Sequence, residues 1–388
     1  MKYKIHILQV ISAGLLLLGA GGALRAEPKK IAMKAANWKT TGAVEFVQHN
    51  GVEAIELKAG NRDMKMKGGE ALPAGIMFKN GTIEFDIEPQ GGMGAGIVFR
   101  QEQNNSGYFY LRPRPNCGEA PDCIQYAPQT RGVLLWDMFP QYQAPAPLRE
   151  NEWNHIKMVI SGQRMNVFIN GKESGSSSPT LKVGSLEGDT LEGELQLEGP
   201  GFFANFTVTA DAVDGLPAEA EKDASEADQR FLRHWQLSAY APLAADKEPT
   251  ASDVPAASAD WKPLKAERNG LLNITRQYGL PREYPQFAVA WLKTSITSET
   301  EQTKKVSIGW SREVWVFVNG KQVFADKNLY QPPAARKNPD GRCSLENGSF
   351  ALPLNKGKNE ITMAIANNFY GWGAILRLAD VNGLHLEQ

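Results

Sequence analysis

The sequence is poor in the residue types that support metal, nucleotide or nucleic-acid chemistry. It has three cysteines and five histidines, and neither type recurs at a metal-ligand spacing or in a Ser/His/Asp arrangement. Phosphate loops and dinucleotide fingerprints are absent. The formal net charge of −1 gives no electrostatic reason to expect nucleic acid or an anionic membrane surface as a partner. These absences exclude most nucleotide-dependent functions.

Long hydrophobic runs are absent except at the start of the chain. Lys2 and Lys4 precede an apolar run over residues 7–23, and small residues follow it. This pattern predicts a signal peptide over residues 1–26, with cleavage after Ala26 favoured over cleavage after Ala23. The run is too short and too rich in Gly for a membrane anchor. We therefore expect an exported protein, periplasmic or extracellular, with no integral membrane segment after cleavage.

Helix-periodic stretches are nearly absent, and short alternating apolar runs with turn residues between them are frequent. Two such runs, residues 165–169 and 314–318, lead directly into Asn170-Gly171 and Asn319-Gly320. Asn-Gly suits a type I′ turn because both central residues need positive φ. A hairpin cannot bury its apolar face alone, so each implies a larger sheet around it. The sequence therefore predicts an all-β fold.

A change in composition divides the chain. Strand-like runs fill residues 27–210, whereas residues 211–228 are rich in Ala, Asp and Glu with few apolar anchors. Strand-like runs then resume within residues 229–388. We interpret this as two β-sandwich (jelly-roll) domains after the signal peptide, joined by a linker at 211–228, and we expect each to fold on its own.

Cys117 and Cys123 lie close together in a loop rich in Pro and Gly. In an oxidising compartment, a disulfide between them is the simplest interpretation. A zinc site would need further Cys or His nearby, and the loop has none. Cys343 is then left over as a partly buried thiol.

Four segments of the first domain, residues 80–87, 94–100, 152–157 and 167–171, resemble concanavalin A-like lectin/glucanase domains. Within that superfamily they are most similar to laminin-G-like modules and to the 3-keto-disaccharide hydrolase type of domain. The resemblance implies a β-sandwich and a carbohydrate partner, with no cofactor other than a possible structural calcium. It says little about activity, because one fold carries many functions.

Three segments of the second domain, residues 314–321, 354–361 and 372–377, are similar to galactose-binding-like jelly rolls attached to many glycoside hydrolases. This resemblance implies a second sandwich and again a carbohydrate partner.

Glu84, Asp86 and Glu88 resemble the catalytic Glu-x-Asp-x-Glu strand of laminarinase-type glucanases. Alternation puts all three carboxylates on one face of a strand. Retaining glycosidases need two carboxyl groups about 5–5.5 Å apart, whereas alpha carbons four residues apart on a strand are separated by about 13 Å. We therefore interpret this as a solvated acidic face and assign no catalytic residue.

Polar and aromatic residues on alternating positions of later strands form a better ligand surface. Aromatic faces stack on the apolar faces of sugar rings, and Arg or Asp bonds to the hydroxyls. Alternatively, the tyrosines cover the sandwich and Arg100 pairs with a carboxylate. The candidates are Arg100, Tyr108, Tyr110, Arg112, Trp136 and Asp137.

In the second domain, Asn367, Tyr370 and Trp372 lie in a Gly-containing stretch between two strand-like runs. They are candidates for a sugar-binding rim, with the loop 330–342 as its second wall. Alternatively, Trp372 closes the core of the sandwich.

The sequence thus favours an exported carbohydrate-binding protein that recognises a glycan or polysaccharide through aromatic and Arg faces. One alternative is a glycoside hydrolase, of the 3-keto-disaccharide hydrolase or glucanase type, with its site in the first domain. A second alternative is a surface scaffold that binds other proteins. Whether the chain is an enzyme stays open, and the metal content is unknown.

Overall fold

The fold is described by a computed structural model. It covers residues 27–60, 68–91, 94–171, 178–244, 246–281 and 287–386, so the predicted signal peptide lies outside the described residues. Strands dominate this part of the chain, beside one short helix, α1 (Thr275–Tyr278). No helix in these ranges has the length and apolar character that a membrane crossing needs. The all-β prediction is confirmed.

Short 3-10 helices interrupt the strands at five places in the described ranges. They are Ala35–Asn37, Pro140–Tyr142, Ala251–Asp253, Arg268–Gly270 and Pro333–Ala335.

Two antiparallel sheets pack face to face in the first half of the chain. Their strands are β1 (Lys29–Lys30), β2 (Trp38–Thr41), β3 (Val44–His49), β4 (Val52–Leu57), β5 (Glu70–Pro73), β6 (Met77–Phe78), β7 (Gly81–Pro89), β8 (Ala95–Glu102), β9 (Asn105–Leu111), β10 (Ile124–Thr130), β11 (Val133–Leu134), β12 (Gln143–Ala144), β13 (Asn154–Ser161), β14 (Arg164–Ile169), β15 (Leu181–Val183), β16 (Gly193–Glu198) and β17 (Gly201–Ala210). One sheet has the order β15-β14-β13-β7-β17-β4-β3, and the other β11-β10-β9-β8-β16-β5-β2.

Alternating apolar residues explain why these sheets stack. Phe85 on β7, Phe109 on β9 and Phe203 on β17 are fully or almost fully buried in one apolar cluster between the sheets. Their neighbours in sequence point to the outer faces, as the twofold period of a strand requires. The outer face of the β8-β9-β10 sheet carries the predicted tyrosines.

A second sandwich follows. Its strands are β18 (His234–Leu237), β19 (Ala241–Leu243), β20 (Lys262–Lys265), β21 (Leu271–Asn273), β22 (Phe287–Ser298), β23 (Gln302–Trp310), β24 (Arg312–Val318), β25 (Lys321–Asn328), β26 (Gly348–Leu354), β27 (Gly357–Asn367), β28 (Gly373–Leu378) and β29 (Leu384–Leu386). One sheet has the order β20-β18-β22-β27-β24-β25, and the other β21-β28-β23-β26. Trp310 and Trp372, neither of which is exposed, fill the space between them.

The two Asn-Gly segments behave differently. Val318 pairs with Lys321, so Asn319 and Gly320 form a two-residue turn, with φ values of 48° and 78°. This hairpin prediction is confirmed. The prediction of a two-residue turn at Asn170-Gly171 was wrong. β14 pairs with the preceding strand β13 on one side and with β15 on the other, and β15 begins only at Leu181. The Asn170 side chain instead accepts from the backbone N–H of His155, on β13, at 2.9 Å and donates to the carbonyl of Pro147 at 3.0 Å.

Residues 211–228, predicted as a linker, run along the first sandwich. The carbonyl of Ala218 accepts from the backbone N–H of Gln163 at 2.7 Å, and the N–H of Glu221 donates to the carbonyl of Gly184 at 2.7 Å. These bonds hold the segment against the first sandwich.

Two arginines of the second sandwich form ion pairs with the first sandwich. Arg276 forms an ion pair with Asp189 and donates to the carbonyl of Glu187 at 2.7 Å. The Arg268 Nε lies 3.3 Å from Glu187 Oε1. The sandwiches are therefore in direct contact, and the independent folding of each stays a prediction.

Apolar packing joins the sandwiches beside these ion pairs. Phe231, Leu271, Cys343 and Ile375 of the second sandwich belong to the same buried apolar cluster as the core of the first. Their burial depends on docking, because separation would return this surface to water.

Cys117 and Cys123 form a disulfide, with their alpha carbons 5.4 Å apart, and Cys343 is a buried free thiol. In the exported protein we expect mass spectrometry of a non-reduced digest to find the first pair joined. Because the ring is small, replacing both by Ser should lower the free energy of unfolding by only about 2 kcal/mol. Two free thiols at these positions in the native protein would contradict the prediction.

Gly371 of the second sandwich packs directly against Met138 and Asp137 of the first. A Cβ at this position would collide with the Met138 side chain and lie 2.6 Å from Asp137 Oδ1. We expect Gly371→Ala to force the sandwiches apart and to lower the free energy of unfolding by on the order of 1–3 kcal/mol, measured by chemical denaturation. Gly118→Ala is the matched control, because a Cβ there meets no atom within 4 Å. Equal stability of the two variants would contradict this account of docking.

Candidate functional site

Aromatic side chains from both sandwiches meet on the outer face of the β8-β9-β10 sheet. Tyr110 on β9 and Trp136 after β11 form an apolar patch against which Tyr330 and Phe369 of the second sandwich pack. Together with the neighbouring Tyr370, these five residues are called here the inter-sandwich cluster.

Trp136 is the centre of the inter-sandwich cluster. Its ring centroid lies 4.9 Å from that of Tyr330, 5.8 Å from that of Tyr370 and 6.5 Å from that of Phe369, each in an edge-to-face arrangement. Such pairs are favoured by the quadrupoles of the rings. Trp136 is only 8% exposed, whereas Tyr370 is 38% exposed and forms the accessible edge.

A buried glutamine orients the first sandwich's part of the cluster. Gln125 on β10 accepts from the Tyr110 hydroxyl at 2.9 Å and donates to the carbonyl of Trp136 at 2.6 Å. It also accepts from Arg112, whose guanidinium lies 4.9 Å from the Tyr110 ring centroid and 5.9 Å from that of Trp136. The ring faces and the cation are thereby held in fixed positions.

Asp122, in the disulfide loop, links arginines of both sandwiches. It lies 3.6 Å from Arg112 and also pairs with Arg114, while Arg342 of the second sandwich donates to it at 3.0 Å. The Arg342 guanidinium lies 5.2 Å from the Trp136 ring centroid. Cations thus flank Trp136 from both sandwiches.

Asp137 is the buried carboxyl group of the site. Its Oδ1 accepts from the backbone N–H of Gly371 at 3.1 Å, and its backbone carbonyl accepts from the N–H of Cys343 at 2.8 Å. Burial raises the pKa of Asp137 to about 7, against the opposing effect of its own backbone N–H, of the Gly371 N–H, and of Arg342 and Arg312. A carboxyl group with this pKa can hold or release a proton near neutral pH.

The structure brings together Tyr108, Tyr110, Arg112, Trp136, Asp137 and Tyr370 of the predicted site residues.

Arg100 does not join them. A β-bulge between Phe99 and Glu102 breaks the alternation, and Arg100 has a positive φ of 53°. Its guanidinium points away and donates to the carbonyls of Lys79, at 2.8 Å, and Gly162, at 2.7 Å. The expectation that it shares the face of the tyrosines was wrong.

Two predicted rim residues are buried in the second sandwich. Trp372 has no exposed surface and lies in the core, where its indole N–H donates to the carbonyl of Ile365 at 3.2 Å. Asn367 accepts from the N–H of Phe369 and donates to the carbonyl of Tyr370, each at 3.2 Å. Trp372 therefore has a core position, and Asn367 shapes the loop that carries Tyr370.

The acidic strand β7 belongs to the opposite sheet. Asp86 bonds to His155 Nδ1 at 2.7 Å, and hydrogen bonds to Asp86 and Glu84 raise the pKa of His155 to about 9. Glu88 is buried and lies 2.9 Å from His49 Nε2. The interpretation as a solvated face was therefore wrong for Glu88, whose carboxylate has a histidine partner.

The site contains residues that were not among the sequence candidates. Gln125 and Phe369 carry no sequence signal of their own. Tyr330 and Arg342 lie at the two ends of the loop expected to form a second wall, so the loop was the detectable signal. In the described ranges no group of three or more His, Cys, Asp or Glu side chains is placed to hold a metal ion.

A protein-family comparison supports the resemblance of the first sandwich. Residues 33–200, less than half of the chain, match the model of the 3-keto-alpha-glucoside-1,2-lyase-like domain. The similarity of the second sandwich to galactose-binding-like domains stays a prediction. No curated protein matches the chain.

Solved structures of carbohydrate-active proteins also resemble the chain. Carbohydrate-binding module CBM66 from Bacillus subtilis is 16% identical, covers 44% of this chain and 93% of its own, and has a TM-score of 0.30. Domain 4 of a GH43 extracellular arabinanase from Geobacillus stearothermophilus is 10% identical, covers 48% of this chain and 95% of its own, and has a TM-score of 0.32. A prokaryotic beta-1,3-1,4-glucanase from a mouse hindgut metagenome is 10% identical, covers 47% of this chain and 98% of its own, and has a TM-score of 0.30. None of these likenesses bears on the ligand of this chain.

The raised pKa of Asp137 predicts a pH-dependent stability. Its ordinary pKa is 3.8, so between that value and about 7 the folded protein binds more protons than the unfolded chain. Protonated Asp137 therefore stabilises the folded state fully below pH 3.8, and this stabilisation is lost as the pH rises through about 7. It amounts to about 4 kcal/mol at most. We expect Asp137→Asn to reduce the fall in Tm between about pH 5 and about pH 8. Parallel Tm–pH curves for the two proteins would contradict this.

Proposed function

We propose that the protein binds carbohydrate outside the cytoplasm at the inter-sandwich cluster. The observation that carries the proposal is the meeting of Trp136 with Tyr330 and Tyr370 from the other sandwich, between the guanidinium groups of Arg112 and Arg342. These contacts join the two candidate surfaces into one continuous surface, which supports a single shared binding site.

The chemistry of the cluster suits a sugar ring. Aromatic edges and faces provide contact with the apolar C–H surface of the ring, and arginines provide directed donors for hydroxyl oxygens. Tyr370 is accessible, while Trp136 supports it from below with little exposure of its own. Binding would thus begin at Tyr370 and Tyr330.

Cleavage of a glycosidic bond is the second candidate. It is favoured by the match of residues 33–200 to the 3-keto-alpha-glucoside-1,2-lyase-like domain. It is also favoured by Asp137, because a carboxyl group with a pKa near 7 suits general acid or base catalysis. Asp137 is almost fully buried, so this role requires the substrate to reach it beside Tyr370.

Tyr370 gives the sharpest test of binding. We expect Tyr370→Ala to weaken binding to a responsive polysaccharide by roughly tenfold to a hundredfold, because one stacking ring contributes on the order of 1–3 kcal/mol. Affinity electrophoresis over a polysaccharide panel measures this. The control is Trp261→Ala, a partly exposed ring of the second sandwich that packs outside the inter-sandwich cluster.

Truncating Tyr110 or Trp136 would be a poorer test. Both are almost fully buried, so their loss should lower the free energy of unfolding by about 3–5 kcal/mol as well as affecting the ligand. Unchanged binding by Tyr370→Ala would contradict the proposed site.

An assay of new reducing ends on the same panel, with oxidised disaccharides added, separates binding from cleavage. Release of sugar by the wild type that disappears in Asp137→Asn would favour the second candidate. Retention without release favours binding. Absence of both would leave the scaffold alternative.

A further inference from the structure

Arg312, the first residue of β24, borders the inter-sandwich cluster. Its guanidinium lies 5.4 Å from the Phe369 ring centroid and 5.8 Å from that of Phe287. Its backbone has a φ of 57°, in the left-handed region that a residue with a long side chain rarely occupies. Tyr370, also in the cluster, has a φ of 55°. The fold thus holds both side chains at the site in an unfavourable backbone conformation.

The guanidinium of Arg312 has no polar partner within the described residues. It makes no hydrogen bond or ion pair there, and its Nε is buried without an acceptor. Burial lowers the pKa of Arg312, with Glu313 and Asp137 acting in the opposite direction. Arg312 is half-buried and its Nε lacks an acceptor, so an anionic group that arrives with a ligand would gain a charge-assisted hydrogen bond there.

The other arginines around the cluster are already paired. Arg112 and Arg342 share Asp122, and Arg336, whose guanidinium lies 4.1 Å from the Tyr330 ring centroid, pairs with Asp340 at 2.9 Å. Four guanidinium groups therefore lie over rings of the cluster, and Arg312 is the member without an ion pair in the described structure.

We propose that Arg312 binds an anionic group of the saccharide held at the inter-sandwich cluster, a carboxylate or a sulfate ester. The ligand is accordingly an acidic glycan. This inference rests on the proposed carbohydrate-binding function and specifies its ligand class. A guanidinium presents parallel N–H groups that match two oxygens of either anion.

The test compares acidic polysaccharides with their neutral counterparts on the full chain. Polygalacturonate and alginate are paired with their carboxyl-reduced forms, and dextran sulfate is paired with dextran. Titrations at low salt use the wild type, Arg312→Gln and Arg312→Lys. Arg230→Gln is the matched control, since Arg230 pairs with Asp228, remote in sequence from the cluster. Thermal melts establish that each variant is folded.

We expect the wild type to bind at least one acidic polymer at least tenfold more tightly than its neutral form. Arg312→Gln should bring the ratio of the acidic-form to the neutral-form affinity close to one, while Arg312→Lys keeps part of the preference because the charge remains. Added salt should weaken binding to the acidic polymers and not binding to their neutral forms. A preference for polygalacturonate or alginate over its carboxyl-reduced form would identify a carboxylate, and a preference for dextran sulfate over dextran would identify a sulfate ester.

Equal binding of every acidic and neutral pair would overturn this inference and leave the proposed function standing. A preference that survives in Arg312→Gln would likewise overturn it, since another cation would then be responsible. No binding to any polymer would instead be a failure of the proposed function itself.

Discussion

The contact between Asp137 and two loops of the second sandwich determines how the rest of the site is arranged. Asp137 accepts from Gly371 through its side chain and from Cys343 through its backbone carbonyl. Trp136 precedes Asp137, and Tyr370 precedes Gly371, so this pair of bonds also sets the separation of the two rings. Because the carboxyl group is buried, its interactions are strong, and water does not compete for the N–H donors. Aromatic packing alone would allow the sandwiches to slide.

Features that depend on neighbouring residues were predictable from the sequence. Alternation of apolar residues indicated the all-β class, and Asn319-Gly320 predicted a turn that the structure contains. Cys117 and Cys123 lie within one short loop, so their proximity follows from the chain itself. The segments between residues 80 and 171 carried the resemblance that the family comparison supports.

Features that depend on distant contacts were not predictable. The bulge at Arg100 turns one side chain to the other side of its strand, and a strict twofold period cannot represent such an insertion. Asn170 resembles a hairpin residue in sequence, yet its side chain bonds to His155 on β13 and to Pro147 in the loop before that strand. Above all, the candidate surfaces of the two domains were identified separately. Only the packing of one sandwich on the other shows that Trp136 and Tyr370 are in contact.

The bonded path of residues 211–228 along the first sandwich has a consequence for valency. Two binding modules on a flexible tether can hold two stretches of one polymer and gain avidity from their effective concentration. Here the connection is hydrogen-bonded to the first sandwich, and the second sandwich is docked against it. With the proposed site shared between the two halves, one molecule engages a polysaccharide at one place. Repeated attachment to the same polymer would then come from the number of protein molecules along it.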